Sequence, residues 1–158
     1  MGRHVSQIVG ERFGRSILEL GGNNCIIVDE SADMDLVVPA IVFGAVGTAG
    51  QRCTSTRRVI IHDSIYEDLK KRLISAYKQV NIGDPLEKDT LMGPLVNQNA
   101  VNDFSNAIER AIENGGEILY GGTAIDGPGN FVTPTIVSAE NNWDIVQEET
   151  FAPVLYLM

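Results

Sequence analysis

An α/β fold with a mostly parallel sheet is what this chain predicts, on three observations. Short apolar runs of extended character recur along it. Segments with apolar residues three and four apart stand between those runs. The composition, 44% hydrophobic and 21% charged, matches a globular domain and leaves no room for disorder, a collagen-like repeat or a coiled coil. Alternating strands and helices pack as a parallel sheet with helices over its faces, and 158 residues are enough to bury a core.

The elements follow in order. Val5 to Phe13 reads as a short helix. Ser16 to Leu20 reads as an extended apolar strand closed by Gly21-Gly22, so Glu19 stands near a strand end. Cys25 to Val28 is a second, buried strand, with Cys25 expected as a small interior hydrophobe. Asp29 to Asp35 offers several N-caps to the next helix, and Pro39 either belongs to its first turn or kinks it. The apolar run Leu36 to Gly50 is too short for a bilayer and reads as a buried helix, in which Gly44, Gly47 and Gly50 serve packing.

Arg57 to His62 is a third strand. Ser64 and Glu67 have the spacing of a capping box before a helix whose stripe is Ile65, Leu69, Leu73, Ala76, Tyr77 and Val80. Gly83 to Pro94 is loop. A second amphipathic helix starts near Asn97, carries Val101, Phe104, Ile108, Ala111 and Ile112 on one side, and ends at Gly115-Gly116. Glu117 to Tyr120, Phe131 to Val137 and Val154 to Leu157 are further extended segments, with a Gly/Pro turn region from Gly121 to Asn130.

The charge balance and cysteine count exclude several classes of function. Twelve basic against 21 acidic residues give −9 without a Lys/Arg cluster, which argues against nucleic acid and anionic membranes as partners. Two cysteines without CxxC spacing suit a reducing compartment, and the two histidines have no second ligand at metal spacing, so no metal is expected. No signal-peptide pattern opens the chain, so a cytoplasmic setting is the default, with a mitochondrial one left open for an upstream address.

Two motifs carry chemistry together. Cys53 lies in Gly50-Gln51-Arg52-Cys53-Thr54, a thiol on a turn, and Glu19 lies in Leu18-Glu19-Leu20-Gly21-Gly22, a carboxylate left uncrowded by two glycines. They suggest a nucleophile and a base. With Glu148-Glu149-Thr150-Phe151-Ala152-Pro153-Val154 they resemble, in order, the LELGG, GQxC and EExFxPV motifs of the aldehyde dehydrogenase superfamily. The wording Glu11-Arg12-Phe13-Gly14-Arg15, Gly47 to Cys53 and Glu149-Thr150-Phe151-Ala152-Pro153 is similar to its antiquitin branch, in which Ala152 likewise replaces the commoner glycine.

The resemblance covers essentially the whole chain, but the family's polypeptide is much longer. It implies that residues 1–20 are the tail of the cofactor domain and 21–158 most of the catalytic domain, truncated at its C-terminal end. It further implies NAD+ as cofactor, with NADP+ left open, a small aldehyde as substrate, and a homo-oligomer at full length. Cys53 would form a thiohemiacetal and then a thioester, and Glu19, with its pKa raised by partial burial beside Leu18 and Leu20, would activate the hydrolytic water. Glu149, Phe151, Leu20 and Gly21 fall at the family's cofactor-binding positions. Arg52 has the chemistry to grip the distal carboxylate of a semialdehyde such as α-aminoadipic semialdehyde, although an Arg fixed in a structural ion pair would look the same in sequence. A non-catalytic fragment and a cofactor-independent thiol esterase are the rival readings.

Overall fold

The computed structural model describes all residues, Met1–Met158. Five strands, β1 (Asn24–Val28), β2 (Thr56–Ile61), β3 (Glu117–Tyr120), β4 (Thr135–Ser138) and β5 (Val154–Leu157), form one sheet in the order β1-β2-β5-β4-β3. All neighbours are parallel except β3 and β4. Five α-helices accompany them: α1 (Gly2–Glu11), α2 (Met34–Val46), α3 (Tyr66–Tyr77), α4 (Gln98–Glu113) and the short α5 (Asp144–Gln147). No helix is long and apolar enough to cross a membrane.

Local chemistry accounts for most boundaries. Asp33 caps α2 by accepting from the Asp35 N–H at 2.9 Å, and Asn97 caps α4 by accepting from the Ala100 N–H at 3.0 Å. At the other end of α4 the Gly116 N–H reaches the Ala111 carbonyl and the Gly115 N–H that of Ile112, a Schellman motif that Gly115 permits with its φ of +96°. The buried stripe of α3 is Leu69, Leu73 and Tyr77, and that of α4 is Val101, Phe104, Ala107, Ile108 and Ala111. The two stripes join β4 and β5 in one apolar core.

Several expectations need correction. Ser16 to Leu20 forms no strand, because no neighbouring strand lies there to receive its backbone groups, and Ile17 is 93% exposed. Phe131 to Val137 contributes a strand only from Thr135, with Val132 making a single bridge to Ala124. The capping box at Ser64 does not form: a 3-10 turn, Asp63–Ile65, comes first, and His62 caps it by accepting from the Ser64 N–H.

α2 is only half covered, with Ile41, Ala45 and Val46 inside while Leu36 and Phe43 face outward. Pro39 sits in its second turn, leaving the Asp35 carbonyl without a helical donor. β1 is an edge strand open on one face, so Cys25 and Ile27 are exposed rather than buried. Ile112, too, lies half outside the α4 stripe.

Candidate active site

The segment before Cys53 is the most contorted in the chain. Thr48, Ala49 and Gly50 follow one another in the left-handed region, with φ of 55°, 52° and 68°. For an L-residue this conformation costs about 1–2 kcal/mol, and a β-branched threonine adopts it rarely. Packing holds it in place. Ala49 is buried, and a Cβ on Gly50 would run into the backbone of Ala152 and Pro153. Gln51 then ties the turn to the loop beyond α3: its amide donates to the carbonyls of Thr48 (3.2 Å) and Pro94 (3.3 Å) and accepts from the Val96 N–H (2.8 Å).

The thiol is presented at the next turn. The Arg52 N–H donates to Ser55 Oγ at 3.1 Å and the Ser55 N–H returns to the Arg52 carbonyl at 3.0 Å, so Cys53 projects, exposed, from a closed four-residue loop. Asn24, at the start of β1, donates its side-chain amide to the carbonyls of Cys53 (2.7 Å) and Ser55 (3.1 Å). Gly22 lies so close to the Cys53 carbonyl that a Cβ would come within 2.7 Å of it. The segments carrying Glu19 and Cys53 are therefore in close backbone approach.

Glu19, Leu20, Gly21, Arg52, Cys53, Glu149 and Phe151 all line one hollow of about 520 Å³. Residues far apart in sequence are thus gathered around the thiol. Their surroundings differ from expectation in two respects. Glu19 is exposed, so the partial burial expected beside Leu18 and Leu20 is not supplied within this chain. Arg52 forms no ion pair; its guanidinium donates to the Phe43 carbonyl at 3.3 Å and stacks on the Phe43 ring at 5.0 Å.

Glu149 is anchored through one oxygen. Its Oε1 accepts from the Gly22 N–H (3.2 Å) and from Arg57 (3.1 Å), while Oε2 accepts no hydrogen bond from the protein. Phe151 is 44% exposed and offers part of its ring to the hollow. A second hollow of about 440 Å³ adjoins the first and shares Gln51, Glu149 and Phe151 with it. On its wall Arg110 forks onto Glu148 at 2.7 and 3.2 Å, and that bonding holds the Glu148 carboxyl below its usual range.

Arg57 belongs to none of the three motifs, yet it bonds residues that surround the thiol. Asn24 pairs with Thr56 and Cys25 with Arg58, so Arg57 is an extra residue in β2, a bulge that turns its side chain into the interior. It is 2% exposed. Burial lowers its pKa from the usual arginine value, opposed by its bond to Glu149. The one sequence signal is the charged pair Arg57-Arg58 opening an apolar strand shortly after the thiol, which demands partners without naming them. Asn24 and Gln51 were equally silent, since their roles rest on carbonyls that folding brings near.

Comparison with known proteins identifies the class. The model of the aldehyde dehydrogenase family matches residues 1–158, and the chain belongs to that family. Among curated proteins it is 51% identical over 158 residues to the α-aminoadipic semialdehyde dehydrogenase of Bos taurus, and 52% identical over 161 residues to a putative aldehyde dehydrogenase family 7 member A1 homolog of Caenorhabditis elegans. These alignments cover 99% and 100% of this chain but 29% and 30% of the relatives, so the chain spans about three tenths of their length. The resemblance to the antiquitin branch is thereby upheld.

The fold agrees. A betaine aldehyde dehydrogenase of Staphylococcus aureus, solved in complex with NAD+, superposes with a TM-score of 0.94 at 30% identity, over 99% of this chain and 33% of that one. An aldehyde dehydrogenase from Bacillus cereus matches equally well, at 31% identity. The expected α/β architecture, a mostly parallel sheet flanked by helices, is the one found.

Proposed function

We propose that this chain carries the nucleophile and base of an NAD+-dependent oxidation of a semialdehyde to its carboxylate, with α-aminoadipic semialdehyde as the substrate suggested by the relatives. The observation that carries the reading is the gathering of exposed Cys53 with Glu19 around one hollow. On this reading residues 1–20 belong to the cofactor-binding part and 21–158 to the thiol-bearing part.

The Cys53 thiolate adds to the aldehyde carbon, and the carbonyl electrons become an oxyanion on a thiohemiacetal. The Cys53 N–H is the group in this chain that would meet it. Nicotinamide, when bound, supplies the acceptor for the hydride that leaves that carbon, so that a thioester remains on Cys53. Glu19 then takes a proton from water, the hydroxide adds to the thioester, and the C–S bond breaks to release carboxylate and thiol. Its exposure here means that the desolvation suited to a general base would have to come from groups that close over the hollow.

The residues at the hollow suit a nicotinamide nucleoside. Glu149 Oε2 is free to accept from hydroxyl groups, Phe151 offers an aromatic wall, and Gly21 leaves space that a Cβ would take from the Glu149 carboxylate. Arg52, at the rim, has the charge to hold a distal carboxylate once it exchanges the Phe43 carbonyl for it.

The test is NADH formation by the purified chain with α-aminoadipic semialdehyde, beside hydrolysis of an activated ester without cofactor. Activity of either kind that Cys53→Ala abolishes and Cys25→Ala retains would support Cys53 as nucleophile. Ester hydrolysis alone favours the thiol esterase reading for the isolated chain, and silence in both favours a non-catalytic piece.

A further inference from the structure

We infer that Arg57 is a positioning residue that locks the Cys53 turn, the base-bearing segment and Glu149 into a single unit, so that thiol reactivity and the placement of Glu149 are coupled. The inference rests on the proposed role of Cys53 and extends it to a residue outside all three motifs. Four of the five N–H donors of this guanidinium are engaged. Nε donates to the Gly22 carbonyl (3.3 Å), Nη1 to that of Gly50 (3.2 Å), and Nη2 to both the Arg52 carbonyl (3.1 Å) and Glu149 Oε1 (3.1 Å). Its Cζ also lies 5.5 Å from the centre of the Phe151 ring.

Each partner belongs to a different part of the site. Gly22 follows the segment of Glu19, Gly50 is the last left-handed residue of the turn, Arg52 precedes the thiol, and Glu149 and Phe151 face it from the segment before β5. A buried cation whose donors fan out to four groups fixes their separations as a set, because moving one breaks a bond to a desolvated charge. Gly22 reinforces the link by donating its own N–H to the same Glu149 oxygen. A side chain that only filled space in the core would need none of this, and a lysine could not reproduce the fork.

The test isolates Cys53 by carrying Cys25→Ala throughout. Alkylation of Cys53 by iodoacetamide is followed against pH in this parent, in Arg57→Met, in Glu149→Gln and in the double variant, with folding checked by near-ultraviolet circular dichroism. Either single change is expected to slow alkylation at neutral pH by about tenfold, the scale of one charge-assisted hydrogen bond. The double variant should be no slower than Arg57→Met alone. A folded Arg57→Met with the parent's rate and pH profile overturns the inference, as do two effects that simply multiply. Should Arg57→Met not fold, Arg57→Lys replaces it, and a parent-like rate there overturns the inference equally. Retained ester hydrolysis in Cys53→Ala would remove the nucleophile reading without touching these alkylation rates, so the two failures are distinguishable.

Discussion

Asn24 commits its amide to the carbonyls of Cys53 and Ser55, and nothing else in the chain bonds the Cys53 carbonyl. Replacing it by alanine frees both carbonyls at a partly exposed site, so Asn24→Ala should destabilise the fold by about 1 kcal/mol. Urea titration followed by Trp143 fluorescence would measure it, and a difference below a few tenths would show that water takes over the role. The Arg110–Glu148 fork gives a prediction in pH. Because the folded-state pKa of Glu148 lies below its ordinary 4.5, the pair's contribution is present above that value and lost as pH falls through the lower folded value. Glu148→Gln should therefore be less stable than the parent at neutral pH, modestly because both groups are well exposed, and the difference should vanish in acid. Melting curves from neutral pH down to acid check the sign.

Among the elements, the left-handed turn before the thiol leaves little room for change. Gly50→Ala adds a Cβ at φ +68° that would overlap the Ala152 backbone, so strain and collision act together, and a loss of about 3 kcal/mol or more is expected in thermal or urea melts. A loss under 1 kcal/mol would mean that the Ala152 segment can retreat. Elements whose stability is local were largely legible in the sequence: the start of α4 near Asn97, most of the stripes of α3 and α4, and the Gly115-Gly116 stop appear where their chemistry puts them, while the capping box at Ser64 gives way to a 3-10 turn. Elements that depend on a neighbour were legible in part: Glu117 to Tyr120 and Val154 to Leu157 form the strands expected of them. Ser16 to Leu20 has strand composition without a strand to join, and Cys25 has the setting of a core residue in a strand that turned out to lie at the edge. The site followed the same division. Its motifs marked Cys53, Glu19, Glu149 and Phe151, whereas Arg57 became visible only once a bulge in β2 had turned it inward.

At the scale of the whole molecule, the core and the stretch leading to it differ sharply in order. From Arg15 to Gly21 no backbone N–H donates to any protein acceptor, and Ile17 and Leu20 are largely exposed. These amides should exchange with deuterium within the earliest time points, while those of β4 and β5, at the centre of the buried cluster, should resist longest. Protection of residues 15–21 comparable to β5 would show that the segment carrying Glu19 is held by contacts other than hydrogen bonds.

The sheet order has a further consequence, and it concerns time. β5 follows the other four strands in sequence yet lies between β2 and β4, so these five strands form one continuous sheet only once β5 pairs with both neighbours. Glu149 and Phe151 arrive with it, and Glu149 meets Gly22 across 127 residues of sequence. Contacts of that span form late. The thiol's surroundings therefore assemble in two stages: Asn24 and Ser55 can shape its turn early, whereas Glu149 and Phe151 reach it only when β5 docks.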